Sequence, residues 1–158
     1  MAIPKQKFRE IVLLFLYSCD FSGLAEEDSI PFIMKELEVS KKHVLEALDF
    51  FKSIQPHLEG IDARIAKHST SYAFKRIPAV ERNILRLGAY ELLFSTDLPP
   101  KVALAESIRL TRKFATPEGA TFVNAVLDAI YQDTVCNSES DPEEADACRA
   151  LDREQTAQ

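Results

Sequence analysis

Residues 81–130 read ERNILRLGAYELLFSTDLPPKVALAESIRLTRKFATPEGATFVNAVLDAI, and this stretch decides the fold. It falls into three helical runs separated by two points of punctuation. Pro78 opens the first run, in which Val80, Ile84, Leu85, Leu87, Gly88 and Leu92 recur at helical spacing. Ser95 to Pro99 is a turn. The second run, from about 100 to 114, carries Val102, Ala103, Ala105, Ile108, Leu110 and Phe114. Thr116-Pro117-Glu118 then reads as an N-cap followed by proline in the first helical position, where a missing N–H costs nothing. The third run carries Phe122, Val123, Val126, Leu127 and Ile130.

The same reading extends toward the N-terminus. Pro4 suits a first helical turn, and Phe8, Ile11, Val12, Phe15, Leu16 and Cys19 follow at helical spacing, with Cys19 expected to be packed. After a break at Asp20 to Gly23, a short helix over 29–38 has Asp28 or Ser29 as its cap and Pro31 in its first turn. Ser40 caps the next, which carries Val44, Leu45, Leu48, Phe51 and Ile54. Pro56 ends or restarts it, because proline lacks the N–H that continues a helix. Leu58, Ile61, Ile65 and His68 continue with the same period, and Tyr72 to Ile77 is a connector. The sum is seven helices, with no strand pattern and no internal repeat.

Composition agrees. Gly accounts for only 4 of 158 residues and apolar residues for 46%, so one helical domain with a substantial core is expected. The net charge of −6 is local: residues 133–158 hold eight of the 25 acids and two of the 19 bases, leaving 17 of each in residues 1–132. The expected division is therefore a balanced helical domain over 1–132 and an acidic tail over 133–158. That tail has too few large apolar residues to offset an ordering cost of about 1–2 kcal/mol per residue, so disorder is expected there. The acidic total does not exclude a basic face for nucleic acid.

Sites for chemistry are sparse. Cys19, Cys136 and Cys148 lack paired or C-x-x-C spacing, so neither a disulfide framework nor a zinc site is expected, and a reducing cytoplasm is the default. His43, His57 and His68 are too far apart for a helical ligand pair, so no metal is expected. Glu91 and Glu106 lie within apolar runs and are read as bonded to a neighbouring helix or a cation such as Arg86, not as an acid–base pair. No nucleophile elbow surrounds any serine. Lys5, Lys7 and Arg9 before IVLLFLY imitate a signal peptide, but Ser18, Cys19 and Asp20 interrupt the run and no cleavage site follows. The apolar run is also far short of the roughly 20 residues that span a bilayer. What remains is charge: Lys5, Lys7 and Arg9 interleaved with Phe8, then Tyr17, with further bases at Lys75-Arg76, Arg82, Arg86 and Arg109-Arg112-Lys113. Basic groups neutralise phosphates, and aromatic rings stack on unpaired bases.

Four motifs in order carry a resemblance: Glu81 to Arg86, Tyr90 to Leu92, Asp97 to Ala103 and Phe122 to Asp128. Together they resemble the NusB family of transcription antitermination factors, strongly over about 50 residues and more weakly over most of 4–132. The resemblance implies an all-α fold of seven helices in two packed bundles. It implies a non-enzymatic protein without cofactors that binds boxA RNA of ribosomal RNA operon transcripts. The implied partner is a small-subunit ribosomal protein, NusE, within the RNA polymerase antitermination complex. By position, Lys5, Lys7 and Arg9 would be phosphate contacts, and Tyr17 and Phe122 aromatic contacts beside the helix start at Glu118. Glu81 would lie on the protein partner's face. A homodimer is also compatible with the family and would bury the RNA surface. The first helix departs from the family's dense arginine cluster, and Ala125 stands where the family has glycine. A protein–protein scaffold with weakened RNA binding is the alternative. A domain of an RNA cytosine methyltransferase is disfavoured, since no cofactor-binding glycine motif follows.

Overall fold

The computed structural model describes residues 3–21, 29–95 and 97–138. These form seven helices: α1 (Lys5–Phe21), α2 (Ile30–Leu37), α3 (Lys41–Ile54), α4 (Leu58–His68), α5 (Ala79–Phe94), α6 (Pro100–Phe114) and α7 (Pro117–Ser138). Among the described residues there is no strand. Helices α1 to α3 pack as one bundle and α4 to α7 as another, and α1 also lies along α5. The two bundles share one core, because α1 contributes to both.

The breaks follow local chemistry. Pro56 sits in a 3-10 turn over Gln55–His57 that separates α3 from α4. The Gly119 amide donates to Thr116 Oγ1 (3.0 Å), as an N-cap requires. Ser40 precedes α3 in extended backbone, yet its hydroxyl meets His43 Nδ1 (2.8 Å) instead of capping an amide.

Three expectations change. Helix α7 continues past 132 to Ser138. Thr134 Oγ1 donates back to the Ile130 carbonyl (2.9 Å), and Asp133 meets Lys67 (3.5 Å) and His68 (3.4 Å) on α4, so the extra turn is anchored by side chains. Cys19 is exposed, because the C-terminal end of α1 turns that side to solvent. Cys136 is disulfide-bonded, against the expectation drawn from spacing; separation along the chain says little about separation in space. The remainder of the expected tail, 139–158, lies outside the described residues, as do Cys148, Asp28 and residues 22–23 of the expected break, whereas Asp20 and Phe21 continue α1.

Gly88 of α5 lies against both α6 and α7. A Cβ there would sit 2.5 Å from Ser107 Oγ and 2.8 Å from Leu127 Cδ1. Ser107 cannot turn away freely, because its hydroxyl donates to the buried Ala103 carbonyl (2.9 Å). Gly88→Ala is therefore expected to destabilise by about 1–3 kcal/mol through overpacking, despite alanine's better helix propensity. Gly60, on α4, has nothing within 4 Å of such a Cβ, and Gly60→Ala should stabilise by about 0.5–1 kcal/mol. Urea unfolding of the two variants should shift in opposite directions; shifts of the same sign would refute the packing argument.

Candidate nucleic-acid interface

Helix α1 carries the residues expected to meet phosphate, and the structure divides them. Lys5 is exposed and Lys7 half-buried; neither forms a salt bridge among the described residues. Arg9 is buried. Its Nε donates to both Glu91 oxygens (3.1 and 3.2 Å), and its Nη1 lies 3.8 Å from Glu106. Expected at the phosphate surface, Arg9 instead has its guanidinium committed to α5 and α6 in this structure. Helical geometry contains the reason, because Arg9 stands three, four and seven residues before Val12, Leu13 and Leu16, all of them core.

Around Arg9 runs a polar seam. Glu10 accepts from Arg109 Nη1 (3.0 Å) and Lys113 Nζ (2.9 Å) on α6, and Arg109 Nε donates to Glu106 (2.8 Å). Burial would raise the Glu10 carboxyl, but Lys113 and Arg109 outweigh it and hold it below the ordinary range. Glu91 goes the other way: burial raises it further than Arg9 lowers it, and Glu106 adds repulsion. Glu91 and Glu106 thus bond cations, as expected, but Arg9 and Arg109 and not Arg86. Arg86 binds Asp62 (2.8 Å) and Asp20 (2.9 Å). Asp20, lifted by burial but held down more strongly by Arg86, Asn83 and Arg82, ties the far end of α1 to α5.

The aromatic contacts lie at that far end. Tyr17 is half-buried one turn before Asp20. Phe122 is half-buried in the second turn of α7, its ring edge-to-face with Tyr72 at 5.2 Å. Glu118 is exposed in the first turn. Lys5 and Tyr17 are twelve residues apart on one helix, or about 18 Å, so the lysines and the rings lie toward opposite ends of α1, and Lys5 and Lys7, two residues apart, point to different sides of it. Ala125, whose methyl replaces the family's glycine, is exposed.

Glu81 is buried, with its carboxylate against Gly119, where a Cβ would collide with Oε1. Burial pushes its carboxyl up, and the positive end of the α7 dipole favours an anion there. The structure places Glu81 inside the α5–α7 junction, not on an open face.

Between α1, α3 and α5 lies a cleft of about 420 Å³, lined by Lys5, Phe8, Phe50, Glu91 and Phe94 among others. The histidines are separate: His43 meets Ser40, His57 packs on Phe94 (4.2 Å) and His68 meets Asp133. Among the described residues no His, Cys, Asp and Glu group could hold a metal ion, and no helix is long and apolar enough to cross a membrane.

Fold and site together define an all-helical protein of two bundles, with Lys5 and Lys7 at the start of α1 and Tyr17 toward its end. The chain belongs to the NusB family, whose profile matches residues 6–132. It is 37% identical over 137 residues to the transcription antitermination protein NusB of Chlamydia pneumoniae, covering 87% of this chain and 86% of that protein. A NusB structure from T. maritima superimposes with a TM-score of 0.70 at 30% identity, over 91% of this chain and 97% of that one. A chain from a crystal structure of the antitermination factors NusB and NusE in complex with dsRNA does so with a TM-score of 0.70 at 31% identity, over 82% and 96%.

Proposed function

We propose that this protein is a transcription antitermination factor that binds boxA RNA of ribosomal RNA operon transcripts together with the ribosomal protein NusE. It acts by binding and not by catalysis, beside RNA polymerase in the cytoplasm. The observation that carries the reading is likeness over most of the chain to a component of a NusB–NusE–RNA assembly. Lys5 and Lys7 supply charge toward the backbone, and Tyr17 and Phe122 supply rings to the bases. Arg9 serves as an internal pin for the helix that carries them. Glu81 acts indirectly, by seating the start of α7 near Glu118 and Phe122.

A scaffold with weakened RNA contact is the second reading, favoured by the inward commitment of Arg9. Titration of boxA RNA with and without NusE, at low and moderate salt, separates them. The first reading expects tighter binding with NusE and an affinity that falls as salt rises, through counterion release. Equal binding of unrelated RNA, or none with NusE present, would favour the scaffold.

A further inference from the structure

We propose that Tyr72 is a base-stacking residue of the RNA surface, held ready by Phe122 and flanked by Lys75 and Arg76 as phosphate contacts. This rests on the RNA-binding reading above. Tyr72 lies in the connector between α4 and α5, yet its position is determined from two sides. Ser69 Oγ donates to the Tyr72 carbonyl (2.6 Å), closing the loop beneath it. Its ring meets Phe122 at 86° with centroids 5.2 Å apart. Nearly half of the residue, 48%, remains exposed.

An exposed tyrosine held in place loses little conformational freedom when a base settles on it, so more of the stacking energy appears as affinity. The connector then places charge close by. Lys75 and Arg76 follow in a 3-10 turn over Phe74–Arg76, both exposed and neither in a salt bridge among the described residues. Phe74, between them and Tyr72, is engaged inward beneath Arg82 and Arg86, each 5.7 Å from its ring. The short run therefore alternates one outward ring, one inward ring and two outward cations. Rings beside backbone-tracking cations are what unpaired nucleotides require, and a paired duplex offers no free base face.

The chain contains no tryptophan, so Tyr72→Trp would introduce a single reporter. With NusE and single-stranded boxA RNA, Tyr72→Ala is expected to weaken binding on the order of tenfold. Tyr72→Phe should bind as the unaltered protein does. The Tyr72→Trp emission should be quenched on binding that RNA, and not by a fully paired duplex of the same sequence. A purely structural role would not produce that quenching. The unaltered thermal midpoint of Tyr72→Ala serves as the folding control, and Phe122→Ala as the control for the neighbouring ring. Retained affinity in Tyr72→Ala alongside a loss in Phe122→Ala overturns the proposal and leaves the RNA reading standing. An unquenched Tyr72→Trp in a complex that forms also overturns it. Failure of the unaltered protein to bind the RNA with NusE overturns both.

Discussion

Arg9→Ala is expected to cost about 3–5 kcal/mol of stability at neutral pH, the range for removing one partner of a buried ion pair. The Arg9 and Glu91 side chains are only 10% and 7% exposed, and the guanidinium reaches both carboxylate oxygens. Without it, Glu91 faces the core and the nearby carboxylate of Glu106. The pH dependence gives the prediction a signature. Glu91 is already raised in the folded protein because burial outweighs Arg9, and the variant raises it further. A raised carboxyl favours the folded state at low pH and loses that contribution as pH rises through the folded value. The penalty of Arg9→Ala should therefore shrink on acidification. Glu10 and Asp20 behave oppositely, since both are lowered on folding. Their contribution is present at neutral pH and is lost as pH falls through their folded values. The gap between the two proteins should close as pH falls toward the ordinary carboxylate range, and both should weaken only below that range, where Glu10 and Asp20 take up protons. Urea unfolding at about pH 7 and about pH 5 measures this; a gap independent of pH would mean that Glu91 is not the group left stranded. Replacing both Arg9 and Glu91 by methionine should recover most of the loss, because no charge is then buried unpaired.

Reversing Lys5 and Lys7 to glutamate together should reduce affinity for boxA RNA, measured with NusE, by about 100-fold or more at low salt. Each exposed charge pair contributes on the order of 1 kcal/mol in water, and reversal exchanges two attractions for two repulsions. Screening diminishes this at physiological salt, where the Debye length is about 8 Å. The plot of log affinity against log salt should flatten by about 1.4, for two lost contacts to a single strand. Fold stability should change little, because Lys5 is exposed and neither lysine is in a salt bridge among the described residues. Unchanged affinity and slope would remove the N-terminal end of α1 from the RNA surface.

Most of the helical order was legible because its signals are local. Pro78, Pro56 and the Thr116-Pro117 pair mark boundaries through backbone chemistry alone, and each acts in the structure where its chemistry demands. The end of α7 was not legible, because its anchor is Asp133 reaching Lys67 and His68 on another helix. The candidate site was legible only in part. Sequence singles out Lys5, Lys7 and Arg9 as one basic cluster, but burial of Arg9 depends on α5 and α6 supplying Glu91 and Glu106. Its spacing to Val12, Leu13 and Leu16 was an available warning. The resemblance puts Glu81 on the protein partner's face, and only the approach of Gly119 shows it inside. Tyr72 gave no signal, since an aromatic residue in a connector gains meaning from the ring that meets it across the fold.

Helix α1 precedes α2 and α3 in sequence, yet it is stitched at one end to α5 and α6 through Arg9 and Glu10, and at the other to α5 through Asp20. It is thus a beam common to both halves. Swinging it away from α5 means breaking both sets of ion pairs, so local opening that frees the α2–α3 end need not release α1. A strand laid from Lys5 toward Tyr17 would follow this beam for its whole length and act as a splint across the joint. The energy of gripping such a ligand and the stiffness of the hinge between the halves would then rise and fall together.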